Sequence, residues 1–147
     1  MLLNIAIRAL LILLTTAIHA GGMFLALRSI RRHGMGERTE ARLSRVFRVG
    51  SIVLIMYLVA VMEVLAWAVT YLLSNALDGF ERALYFSMVS FTTLGYGDVV
   101  LDGSRRLLAS LEAVNGIIMF GWSTAIVIAT VQHVYFRREP VKYGRDG

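Results

Sequence analysis

The stretch Phe91-Thr92-Thr93-Leu94-Gly95-Tyr96-Gly97-Asp98 decides how this chain is built. A cation leaves water only if fixed oxygens replace its hydration shell, and backbone carbonyls are the densest supply of them. A loop aims successive carbonyls at one axis only when some residues adopt dihedrals closed to ordinary L-residues. Gly95 and Gly97 provide these, because glycine reaches positive φ without a steric penalty. The run Thr93, Leu94, Gly95, Tyr96, Gly97 then turns side chains to one side and carbonyls to the other. The Thr93 hydroxyl adds an oxygen at the inner end. One chain supplies one wall, so several copies are needed to close a cage.

Upstream, residues 81–92 predict a helix of about 18 Å, too short to cross a hydrocarbon layer of about 30 Å. Asp78 stands where it can cap this helix, with Glu81 completing a box-like pair. Such a helix enters a membrane from one side and stops midway, its carbonyl end turned toward the loop. Non-helical backbone at that depth is tolerated only where protein buries it or water lines it. Downstream, residues 98–104 return to the same side. Residues 107–136 would extend about 45 Å as a helix, enough for a tilted span that continues beyond the lipid.

Composition agrees with a membrane setting. The 147 residues are 57% hydrophobic and 17% charged, more apolar than soluble domains usually are. Cysteine is absent, so there is no disulfide framework and no thiolate metal site. The net charge of +5 is carried almost wholly by arginine, which in a membrane protein is first a topology signal. The arginines lack a fold that would bring them to nucleic acid, so no nucleic-acid partner is expected. The three histidines form no metal motif, and no nucleophile elbow or phosphate loop is present. No enzymatic activity, cofactor or small-molecule substrate is expected.

Residues 9–27 contain no Lys, Arg, Asp or Glu and would span about 28 Å as a helix. A cleaved signal peptide is the rival reading, with TTAIHAGG offering small residues. It is disfavoured because Arg8 is the only leading basic residue. Cleavage would also leave the next segment on the wrong side. Residues 1–27 are therefore expected to be a retained transmembrane helix. Residues 28–50 hold seven arginines and read as a cytoplasmic basic linker. Arg38, Arg42, Arg45 and Arg48 are spaced by four, three and three residues. A voltage sensor would need more spans around them, so an interfacial helix on the inner leaflet is preferred. A second span follows, with Glu63 inside it. Arg137, Arg138, Lys142 and Arg145 mark residues 137–147 as a second cytoplasmic segment, and Pro140 discourages further helix. The expected topology in the cell inner membrane is multi-pass, with the N-terminus outside and the C-terminus cytoplasmic.

The central stretch resembles the TVGYG signature of potassium channels, with Leu94 where valine is commonest. ALYFSMVSFTTLGYGD, residues 83–98, is similar to that family's pore helix plus filter, and NGIIMFGWSTA to its inner helix. The resemblance covers residues 52–136. It implies a pore module over residues 51–136: outer helix 51–73, pore helix 81–92, selectivity filter 93–97 and inner helix 105–136. Four chains would form a homotetramer holding K+ at Thr93, Leu94, Gly95 and Tyr96, with Gly97 completing the filter. Tyr85 and Phe86 stand where many relatives carry two tryptophans that form a cuff around the filter. The Tyr85 hydroxyl is placed to bond Asp98 or neighbouring filter backbone, or it packs with no polar role. Val89 stands where some relatives carry a glutamate that pairs with the aspartate after the filter. Gly116 matches a hinge glycine if the outer loop is one residue shorter, and close helix packing explains it equally well. For Gly121 packing is favoured over a hinge. The same alignment places Ile117, Phe120, Thr124 and Ile128 on one face lining the cavity.

Three polar residues lie at similar depth in the spans: His19, Glu63 and Glu112. Ionisable groups in lipid are costly and should face protein or water. His19 is expected to pair with Glu63 and dock the extra first span on the pore module. Glu112 is expected to hydrogen-bond behind the pore helix, in place of the carboxylate missing at Val89. The alternative is that both glutamates are protonated and bonded to nearby backbone or to Asn115.

The expected fold is an all-α membrane protein with three transmembrane helices and a re-entrant pore helix. The expected function is passive potassium conduction by a tetramer whose partners are lipid and its own copies. A non-conducting regulatory subunit and a weakly selective cation pore are the alternatives, and the intact GYG argues against both. The gating stimulus is not encoded in any recognisable segment.

Overall fold

The structure, a computed structural model, describes residues 2–33 and 42–135. Four helices carry it: α1 (Leu2–His33), α2 (Arg42–Leu73), α3 (Phe80–Phe91) and α4 (Arg106–Tyr135), the last preceded by a 3-10 turn at Gly103–Arg105. Among the described residues there is no strand. Three runs, Arg8–Ser29, Leu43–Leu73 and Arg106–Tyr135, are long and apolar enough to cross a membrane. The 12-residue α3 is not.

The packing is that of helices dissolved in hydrocarbon. On α1 the buried positions are Leu11, Thr15, His19, Gly22 and Ala26, one stripe at three- and four-residue spacing. Leu10, Leu13, Leu14, Phe24 and Leu25 point outward instead. On α2 Glu63, Trp67 and Tyr71 are buried while Leu54, Leu58 and Met62 are exposed. Polar groups inside and aliphatic groups outside would be costly in water and suit lipid. Small residues let α1 approach closely: a Cβ added at Gly22 would overlap the Val59 side chain.

Polar contacts fix α1 in place. His19 Nδ1 lies 3.1 Å from Glu63 Oε1, both groups almost fully buried. The His19 ring also tilts against Trp122, with centroids 5.7 Å apart. One turn earlier, Asn115 Nδ2 donates to Thr15 Oγ1 at 3.1 Å. The extra helix therefore touches both α2 and α4 through side chains that lipid cannot satisfy. His19 Nε2 and Glu63 Oε2 are buried without a hydrogen-bond partner. In such a half-satisfied pair, removing one partner costs more than the pair's net worth. His19→Ala and Glu63→Gln are each expected to lower the thermal stability of the detergent-solubilised protein. The double variant should lose less than the sum, by about 0.5–3 kcal/mol of coupling. Strictly additive losses would show that the contact carries no energy.

Of the linker expected over residues 28–50, residues 34–41 lie outside the described residues, and the described remainder belongs to the two long helices. Residues 28–33 continue α1, and residues 42–50 are the first turns of α2. The arginines of both segments are good helix formers and no proline interrupts either extension, so both helices run past the lipid-length apolar run, with α2 accommodating Gly50. Arg45 packs its guanidinium 5.8 Å from the Tyr135 ring centre, joining the start of α2 to the end of α4. Arg38 lies outside the described residues, as do residues 136–147. Asp78 does not cap the short helix. Its N-cap is Gly79, at φ 83°, with no side-chain cap bond. The helix begins at Phe80, one residue earlier than expected, which moves the cap to the glycine. Glu81 stays in the first turn, where its charge complements the helix dipole.

Candidate functional site

The loop after α3 is shaped by how that helix ends. Thr92 is the C-cap, and Thr93 takes φ 58°, the left-handed region. Thr93 N donates to Ser90 O at 2.9 Å, and Leu94 N to Val89 O at 2.9 Å. These two bonds are a Schellman closure, whose left-handed position is usually glycine. A β-branched residue there is an outlier that the surroundings must hold. The helix α2 ends in the same way with Asn75 at φ 49°, Asn75 N bonding Leu72 O and Ala76 N bonding Tyr71 O. Arg105 then clamps that turn, donating to Asn75 O at 2.7 Å and Ser74 O at 3.1 Å.

Beyond Thr93 the sign of φ alternates. Gly95 is at 56° and Gly97 at 79°, whereas Leu94 and Tyr96 are not in the positive region. Gly95 N joins Leu94 N on Val89 O, at 3.2 Å. Three successive amides, of residues 93, 94 and 95, thus turn toward the end of α3. In a trans peptide the carbonyl lies opposite the amide. No cis bond is present among the described residues, so the carbonyls of Thr92, Thr93 and Leu94 face away from α3. Residues 92–98 are all exposed on the single chain. The result is a row of carbonyl oxygens on an open face, with the carbonyl end of α3 behind it.

Support comes from three sides. Tyr85 Oη donates to Asp98 Oδ2 at 2.7 Å, and this bond holds the phenol above its usual pKa. Phe86 packs edge-on to Tyr71 with centroids 5.1 Å apart, joining α3 to α2. Phe91 meets Phe120 of α4 edge-on at 5.7 Å. Glu112 is fully buried behind α3, accepting from Tyr71 Oη at 2.6 Å, with Ser87 Oγ 2.5 Å from its other oxygen. Asn115 is spent on Thr15 rather than on either glutamate. Val89 is packed in the interior, and its carbonyl rather than its side chain serves the loop.

The positions along α4 separate into two faces. Gly116 is buried where α4 crosses the end of α3, and a Cβ there would overlap the Phe91 carbonyl. Gly121 has open space around it within the chain. Ile117, Phe120, Thr124 and Ile128 all lie on exposed surface, with the Thr124 hydroxyl turned back to Phe120 O at 2.8 Å. Sequence reasoning did not single out Ser87, Tyr71, Thr15 or Arg105. For the three hydroxyls the available signal was a polar group in an otherwise apolar helix face, and for Arg105 a cation in the turn before α4; neither by itself names its partner.

A family model described as an ion channel matches residues 48–133. The match begins in α2 and ends in α4, so it takes in the loop and leaves α1 outside. No curated protein and no solved structure matches the chain.

Proposed function

The chain belongs to the ion-channel family whose model spans residues 48–133, and from that membership we propose that four copies close a potassium-selective pore around the 93–97 loop. The observation that carries this reading is the set of bonds from amides 93, 94 and 95 to α3, which turns the carbonyls of Thr92, Thr93 and Leu94 away from that helix on an exposed loop. Leu94 and Tyr96 are 55% and 67% exposed on one chain. A bare polar loop with large apolar side chains is not tolerated at membrane depth unless protein and pore water cover it. Closing four such loops about an axis places the carbonyls of Thr93, Leu94, Gly95 and Tyr96 around the ion and packs the outward side chains between copies. The ligands are backbone atoms, so Leu94 in place of the commoner valine leaves the ligand set unchanged. Ile117, Phe120, Thr124 and Ile128 then line the water-filled approach to the filter. The arginine-rich ends of α1 and α2 face the cytoplasm, where basic residues near membrane spans concentrate.

The test uses the purified chain alone in liposomes under a potassium or a sodium gradient. Potassium flux with sodium at background is expected, from a cross-linked species of four 16.4 kDa chains. Equal potassium and sodium flux would overturn selectivity, and no flux from an assembled tetramer would overturn conduction.

A further inference from the structure

The groups around Glu112 contain more acceptors than a charged carboxylate leaves protons for. Tyr71 Oη, on α2, is 2.6 Å from Glu112 Oε2. Ser87 Oγ, on α3, is 2.5 Å from Glu112 Oε1 and also 2.9 Å from the Val64 carbonyl of α2. Tyr71, Ser87 and Glu112 are each fully buried. The serine hydroxyl has one proton and two oxygen neighbours at bonding distance. If it donates to Glu112, the Val64 contact holds no hydrogen. If it donates to Val64, the short contact to Glu112 needs a proton from the carboxyl side.

We propose that Glu112 is a neutral carboxylic acid and a positioning residue for the filter, its proton joining α4 to the pore helix. The relay then runs in one direction. Tyr71 donates to Glu112 Oε2, Glu112 Oε1–H donates to Ser87 Oγ, and Ser87 donates to Val64 O. Every polar atom is satisfied, and no net charge is buried in an apolar helix junction, where an unpaired carboxylate would be far costlier than a hydrogen-bonded acid. Three helices meet in this relay. Its reach to the filter is short. Ser87 lies one turn before Phe91, and Glu112 one turn before Gly116, which backs the Phe91 carbonyl. The α3 carbonyls of Val89 and Ser90 that orient the filter amides sit between those two contacts. A shift of α4 against α3 is therefore transmitted to the carbonyls that face the ion.

The filter role rests on the conduction reading; the protonation state does not, and the two are tested separately. Infrared difference spectra of the full chain in liposomes at neutral pH, wild type minus Glu112→Gln, should contain a protonated-carboxyl C=O band. Carboxylate bands in that difference would overturn the proposal whether or not the chain conducts. Ser87→Ala removes the acceptor while leaving the carboxyl, so it should shift the same band; an unmoved band overturns the relay. In flux, Glu112→Ala is expected to lose at least about tenfold, the scale of one buried hydrogen bond left unmade. Glu112→Gln should recover most of it, since its amide accepts from Tyr71 and donates to Ser87 without charge. A glutamine variant as impaired as the alanine variant overturns the positioning role.

Discussion

Gly95→Ala is expected to abolish potassium flux in a protein that still folds and assembles. The reason lies in the backbone and not in crowding. A Cβ at residue 95 meets no atom within 4 Å of its own chain. Its φ of 56°, however, is left-handed, and an L-residue there costs roughly 1–2 kcal/mol. That is small against the stability of a helical assembly and large against the energy that orients one peptide. In the proposed four-copy pore it would come to about 4–8 kcal/mol if all four copies keep the conformation. The cheaper response is to flip a peptide next to residue 95. An N–H then points where a carbonyl should, and the row that replaces the hydration shell is broken by a group that repels cations. The amides of residues 92 to 95 are tied back to α3 and the next anchor is the Tyr85–Asp98 bond, so among the described contacts no backbone hydrogen bond pins the peptide between Gly95 and Tyr96 from behind. Flux of the variant tetramer in liposomes, compared with wild type at matched incorporation, is the measurement. Undiminished potassium flux would show that this loop is not the conduction path.

The same local physics explains what could be read without coordinates. Glycines at 95 and 97 announce positive φ because that is their distinctive freedom, and both are found there. Thr93 at φ 58° could not be anticipated that way. Its conformation is imposed by the closing bonds of α3, a property of where the helix stops and not of threonine. The charge-free run at residues 9–27 identified a span, since lipid filters composition strongly. It could not say that α1 continues to His33 or that α2 starts at Arg42, because arginine is as good a helix former beyond the lipid as within reach of it. Depth could be estimated from the sequence by counting, which brought His19 and Glu63 to one level. The face each presents depends on helix rotation, set by packing of Gly22 on α2 and Asn115 on Thr15. Asp78 misled for a related reason. A capping residue is useful only if the helix begins beside it, and Gly79 intervenes.

Gly116→Ala should be the second severe variant, and its phenotype separates two roles for this glycine. A bending point would be stiffened by alanine, with reduced opening and no loss of stability, since alanine favours helix over glycine by about 1 kcal/mol. The contact at Gly116 argues for a different outcome. An added Cβ there would overlap the Phe91 carbonyl oxygen, and the carbonyl carbon and Cα lie close behind. These are backbone atoms at the end of a packed helix and cannot rotate aside as a side chain can. To admit the methyl group, α4 must move off α3, which strains the Glu112–Ser87 contact one turn away and the Phe120–Phe91 contact one turn beyond. Overpacking of this kind costs typically about 1–3 kcal/mol per site, and the proposed tetramer would have four such sites. Loss of stability together with loss of flux is therefore expected, read as a lower melting temperature in detergent and a failure to run as a tetramer. Truncating the neighbour, Phe91→Ala, should not rescue it, because the obstruction is the carbonyl and not the ring. Gly121→Ala supplies the contrast, with open space around that position in the chain, and should be at least as stable as wild type. Full stability of Gly116→Ala with flux alone reduced would reverse this assignment and return residue 116 to the role of a hinge.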